Sequence, residues 1–185
     1  MIPPMPLDRR TLLTAAGALA TGTLATGTLA AGPTLAEETP MPRLYPVLEA
    51  IIAAWKQQDV EGVLAHVTDD IVWRNSSGYA PAIRGKAAMR EALQRMKAVI
   101  EPGSNRWRIF DHAENRTRLF MEGVDEFRLT TGQHVAIPYA GSLEFRGLLV
   151  SEWREYFDGR ISADMKAGKP MTPEVQEMIS RPVAG

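Results

Sequence analysis

The chain contains no cysteine, which excludes disulfide staples, a thiol nucleophile and thiolate metal sites. It has almost no charge bias, with 21 basic against 22 acidic side chains and a net charge of −1. Nothing in that balance favours nucleic acid or an anionic membrane surface as partner. Histidine is scarce, and His66, His112 and His134 form no i, i+4 pair of the kind that builds a helical ligand cluster. No motif implies a metal or another cofactor, and no internal repeat is visible.

A long hydrophobic run is also missing. The apolar stretch near the start is weak, rich in glycine and threonine, and a poor candidate for a spanning helix. It follows Asp8-Arg9-Arg10-Thr11-Leu12-Leu13 and ends at Thr34-Leu35-Ala36, before Glu37-Glu38. An arginine pair, a mild apolar region and a small-residue cleavage site predict a twin-arginine-type signal peptide over residues 1–36. The expected location is therefore periplasmic or extracellular after cleavage near Ala36, with no membrane anchor left. Residues 37–42 read as a linker, 43–160 as one domain, and 161–185 as a polar tail with a short helix at Pro173 to Ser180.

What is present begins with helical periodicity. Leu44, Val47, Leu48, Ile51, Ile52 and Trp55 fall on one stripe of a helix from Arg43 to Gln58. Asp59 reads as the N-cap of a short helix over Val60 to His66. A third helix runs from Gly85 to Ile100, with Ala88, Leu93, Met96, Val99 and Ile100 packing. One strand, Ile71 to Asn75, is inserted after the second helix, and the loop 76–84 is long enough to cover a cavity. The remainder alternates with period two: Arg106 to Phe110, Arg116 to Leu129, His134 to Phe145 and Gly147 to Asp158. Pro138 argues for a bulge or an edge within its strand.

Helices first and an antiparallel meander after predict an α+β fold, with three N-terminal helices packed on a strongly curved antiparallel or mixed sheet. Such a sheet encloses a conical pocket. Its expected lining is Trp73, Met121, Gly123, Phe127, Ile137, Tyr139, Trp153 and Phe157, together with the polar Asn75, Asp125 and Glu155. Glu155 lies between Trp153 and Phe157 on one strand face, where an unpaired carboxylate is costly to bury. Asp125 faces the same space from another strand. If the two approach, their pKa values separate, giving one acid and one base. That pair suits proton transfer, or addition of water across a strained bond, and the compact aromatic lining suits a small apolar substrate. One buried charge paired with an arginine, the other in solvent, is the plain structural alternative.

Val124-Asp125, the strand Ala136-Ile137-Pro138-Tyr139-Ala140-Gly141 and the run Trp153-Arg154-Glu155-Tyr156-Phe157-Asp158 resemble the limonene-1,2-epoxide hydrolase group. That group belongs to the nuclear transport factor 2-like, cone-shaped superfamily, and the likeness runs from about Val47 to Asp158. The resemblance implies a one-step, cofactor-free addition of water to a small hydrophobic epoxide. It assigns Asp125 as general acid, Glu155 as general base and Asn75 as the amide that positions water. Three positions depart from the group's pattern: Glu155 replaces an Asp, Trp73 a Tyr, and Gly123 the arginine that bridges the two carboxylates. A related isomerase or cyclase using one carboxylate, and a non-catalytic domain that binds an apolar ligand, are the competing expectations. Phe120 and Tyr156, expected on the outer sheet face, would allow a homodimer.

Overall fold

The computed structural model describes residues 43–182. The expected signal peptide and linker, with the cleavage point near Ala36, lie outside the described residues. The elements are α1 (Tyr45–Lys56), α2 (Val60–Leu64), β1 (Val67–Arg74), β2 (Ile83–Arg84), α3 (Lys86–Val99), β3 (Arg108–Glu114), β4 (Arg118–Arg128), β5 (His134–Arg146), β6 (Leu149–Phe157), α4 (Gly159–Lys166) and α5 (Pro173–Ser180). None of these helices is long and apolar enough to cross a membrane.

All six strands form one mixed sheet in the order β2-β1-β6-β5-β4-β3. β1 runs parallel to β6, and every other neighbouring pair is antiparallel. This is the expected α+β architecture with a curved sheet. Irregularities in register bend it: Ser151 is passed over between β5 and β6, and Phe110 between β3 and β4. An extra residue on one strand kinks that strand and raises its twist. By contrast β4 and β5 pair without a break from Arg118↔Glu144 to Arg128↔His134. Pro138 sits in that regular ladder opposite Val124, while the pairing of β5 with β6 stops at Tyr139↔Phe157. The strand is therefore an edge on one side at Pro138, and the missing N–H costs no ladder bond there.

The predicted stripe of α1 is buried throughout, from Leu44 to Trp55. Leu44 supplies no capping side chain. Glu114 at the end of β3 does so instead, accepting from the backbone N–H of Leu44 at 2.9 Å and of Tyr45 at 2.8 Å. A carboxylate there also suits the positive end of the helix dipole. Asp59 caps α2 as its sequence suggests, accepting from the Gly62 N–H at 2.9 Å. On α3 Leu93 is buried, Met96 packs on the core and Ile100 just beyond the helix is buried, all as expected; Met89 and Ala92 are buried in addition, and Val99 is half exposed instead of packed.

The largest departure concerns residues 161–182, which are no appendage. Asp158 caps α4 through the Arg160 N–H at 2.8 Å. Met165 of α4 enters the main core. Val175 of α5 joins Val124 and Ala136, with Phe110, Ile161, Met171 and Ile179 around them, in a second apolar cluster on the other face of β4 and β5. The tail reads as polar because each of these short helices carries few apolar residues. Their burial becomes visible only when both are placed against the sheet.

Candidate active site

Alternation along β6 decides what the site contains. Arg154 points outward and is held by Glu144 at 2.8 Å and Glu152 at 2.6 Å. Its neighbours Trp153 and Glu155 therefore point inward. On β4 the same periodicity turns Asp125 and Phe127 inward, and on β5 it turns Ile137 and Tyr139 inward. These side chains, with Trp73, Asn75 and Phe157, line a cavity of about 270 Å³.

Two expected lining residues do not reach it. Met121 is buried in the core, packed over Gly141 so closely that a Cβ added to the glycine would lie 2.7 Å from Met121 Cε. Gly123 is covered by β3, since a Cβ there would lie 2.0 Å from the carbonyl oxygen of Arg108. The chain entering β3 also brings Trp107 onto the cavity wall. Its ring stacks on Trp153 with centroids 5.7 Å apart, and its indole Nε1 donates to the hydroxyl of Tyr139. Trp107 precedes the first residue of β3, so strand alternation gives it no inward assignment.

The loop 76–84 does not roof the cavity. Its Ser77 hydroxyl donates to the Phe157 carbonyl at 3.0 Å and accepts from the Phe157 N–H at 2.7 Å, so it clamps the end of β6. α4 borders the cavity instead, through Ser162 and Lys166 at i, i+4. Neither was foreseen, although an amphipathic i, i+4 pair directly after β6 was available as a signal.

The two carboxyls have different surroundings. Asp125 is pushed up to about 6 by burial, opposed by a hydrogen bond from Asn105 and by the charge of Lys166. The Asn105 amide donates to Asp125 Oδ1 at 3.3 Å, and its own carbonyl oxygen accepts from the Trp107 N–H at 3.3 Å. Asn105 is buried and was missed, because it lies in an irregular segment without periodicity. Glu155 is pushed up to about 8, first by burial and then by the nearby Asp125. The indole N–H groups of Trp73 and Trp153 oppose that shift. Both are buried and complete no hydrogen bond, so they influence Glu155 without closing a well-formed bond to it. Asn75 lines the cavity but makes no hydrogen bond to either carboxyl.

Burial, opposed by the bond from Trp107, holds the Tyr139 hydroxyl well above its ordinary pKa, and Glu155 and Asp125 add to the rise. It is therefore a neutral donor at any working pH. Because its oxygen accepts from Trp107, its own proton is free for a ligand. Tyr139→Phe leaves the buried Trp107 N–H without an acceptor. The expected cost is about 1–3 kcal/mol, read as a lower urea midpoint; an unchanged midpoint would show that the pair contributes nothing.

Among the described residues no group of three His, Asp or Glu side chains is placed to hold a metal ion. The polar groups at the site are the carboxyls of Asp125 and Glu155, the Tyr139 phenol, the Asn75 and Asn105 amides, the Ser162 hydroxyl, the Lys166 amine and the indole N–H groups of Trp73 and Trp153.

The family model described as SnoaL-like domain matches residues 48–153. Solved structures share the fold at low identity. One is TerC co-crystallised with polyporic acid, 20% identical over 65% of this chain and 95% of that chain, with a TM-score of 0.58. Another is an LEH-like epoxide hydrolase from M. tuberculosis, 22% identical over 65% of this chain and 86% of that one, TM-score 0.55. A third has a ketosteroid isomerase-like fold, comes from Catenulispora acidiphila and contains trimethylamine; it is 20% identical over 72% of this chain and 100% of that chain, TM-score 0.58. No curated protein matches the sequence.

Proposed function

The chain belongs to the SnoaL-like domain family, within the nuclear transport factor 2-like superfamily, and on that premise we propose that it is an acid–base enzyme hydrolysing a small hydrophobic epoxide. The observation that carries this reading is the pairing of Asp125 and Glu155 in one aromatic cavity, with pKa values separated across neutrality at about 6 and about 8. Between those values one carboxyl holds a proton and the other does not. One can protonate the epoxide oxygen while the other takes a proton from water, whose oxygen attacks carbon. The free Tyr139 proton offers a further donor to the epoxide oxygen. A cavity of about 270 Å³ walled by tryptophan, phenylalanine and methionine fits a compact apolar molecule.

The test is incubation of the protein with terpene, cyclohexene and styrene oxides, with diol formation as readout. Turnover above that of Asp125→Asn and Glu155→Gln is expected; equal background in all three proteins would sink the reading. An isomerase or cyclase would instead leave one of the two carboxyls dispensable, and a binding domain would show ligand-dependent thermal stabilisation without turnover. The same reading includes export directed by the arginine-pair leader, which secretion of a reporter fused to residues 1–40 would check.

A further inference from the structure

From the unequal partners of the two carboxyls, we infer that Glu155 is the proton donor and Asp125 the proton acceptor, with Lys166 of α4 holding the charge on Asp125. This is the reverse of the assignment implied by the epoxide hydrolase resemblance. It rests on the proposed acid–base reading and says which group plays which part.

The geometry is asymmetric. Asp125 has a hydrogen-bond donor, Asn105, whose amide is fixed by the Trp107 N–H. It also has the cavity's one cation among the described residues, Lys166. Both features stabilise an anion. Glu155 has neither. It is enclosed by Trp73, Trp153 and Phe157, which favours its protonated form, and the mutual repulsion of the two carboxyls leaves the shared proton on the one without a cation. The other walls do not disturb this balance: α1, α2 and α3 present apolar groups and an indole, β1 an indole, Asn75 just beyond it an amide, and Tyr139 on β5 stays neutral.

The unused indole donors fit the same assignment. Trp73 Nε1 and Trp153 Nε1 are buried and unpaired beside Glu155. A neutral carboxylic acid draws little from them. The carboxylate formed when Glu155 gives up its proton draws much more, so their contribution grows as the reaction proceeds. In the step itself, Asp125 takes a proton from water as the water oxygen bonds to an epoxide carbon. The carbon–oxygen bond of the ring breaks, and its oxygen receives the Glu155 proton. Transfer of the proton from Asp125 back to Glu155 resets the site, and the net reaction is epoxide plus water giving a vicinal diol.

Lys166 also supplies a cation to a site where Gly123 carries none, and supplies it to Asp125 alone. It arrives from a helix after β6 rather than from β4, and it acts on Asp125 as a positioning residue.

Two measurements on the full chain test the inference. The first is the pH profile of residual cyclohexene oxide hydrolysis by Glu155→Gln. With the acid removed, the rate should rise with pH as Asp125 ionises; a flat or falling profile would overturn the assignment. The second follows the side-chain carboxyl carbons by NMR across pH 4–10, and it decides the question whether or not any epoxide is hydrolysed. Asp125 should lose its proton first. Lys166→Met should move the Asp125 midpoint upward and leave Glu155 nearly unchanged, and Lys166→Arg should restore it. Glu155 titrating before Asp125, or a Lys166→Met protein with an unmoved Asp125 midpoint, would refute the proposal. Absence of diol with the predicted order of titration would instead count against the proposed reaction alone.

Discussion

Gly123→Arg is expected to unfold the protein rather than restore the arginine that the epoxide hydrolase resemblance calls for. The obstacle lies at the first atom of the side chain. A Cβ at Gly123 would lie 2.0 Å from the Arg108 carbonyl oxygen, 3.1 Å from its carbon and 3.2 Å from Ile109 Cα. All three are backbone atoms of the β3 side of the sheet, where Ile109 pairs with Gly123. Backbone in a paired strand cannot rotate away as a flexible side chain can. β3 is also tied down at its far end by Glu114, which caps α1. Relief requires β3 to separate from β4 and to take Trp107 with it. Overpacking a core by a methylene costs about 1–3 kcal/mol and occasionally more. A contact this close on backbone belongs at the upper end, so even Gly123→Ala is expected to cost about 3 kcal/mol or more. Urea denaturation of the alanine variant is the measurement, and a midpoint equal to that of the parent would show that β3 yields freely. The cation of this site must therefore come from elsewhere in the fold.

Glu155→Gln is expected to make the protein more stable in alkaline solution while removing most of its activity. Glu155 ordinarily titrates near 4.5 and is raised to about 8 here. A folded-state pKa above the unfolded value means that the folded chain binds the proton more tightly. The resulting stability is fully present below about 4.5 and is lost as pH rises through about 8. Each pH unit in that window is worth up to about 1.4 kcal/mol. Asp125 adds a smaller loss of the same sign between its ordinary 3.8 and about 6. Glutamine has the shape of protonated glutamate and no charge to bury. The variant should match the parent near pH 5 and exceed it by a few kcal/mol near pH 9, roughly 2–4 if the surroundings relax. Its epoxide turnover should fall by about 10²–10⁴. Denaturation at pH 5, 7 and 9 decides the stability half, and parallel pH slopes for the two proteins would show that Glu155 is solvated in the fold. A group that costs stability at working pH is what a functional carboxyl looks like.

Much of this site could be read from alternation alone. Trp153, Glu155 and Phe157 share a face because strand side chains repeat every two residues, and Asp125 and Phe127 share one for the same reason. The α1 stripe and the Asp59 cap were equally local in origin. The expectation failed at Met121, which packs over Gly141 in the core, and at Gly123, which lies against the backbone of Arg108 and Ile109. Periodicity reports which way a side chain points and is silent on what another strand lays over it.

The amino-acid sequence by itself determined the α+β architecture, the faces of the long strands and the presence of two carboxyls on one concave surface. These follow from backbone geometry within single elements. Only the tertiary structure decided that Lys166 and Ser162 border the cavity, that Asn105 donates to Asp125, and that two indole N–H groups stand unpaired beside Glu155. Proton affinity depends on burial and on charges within a few ångströms, and those neighbours come from α4, β1 and an irregular segment far apart in the chain. Which carboxyl holds the proton is thus a property of the folded neighbourhood rather than of either residue.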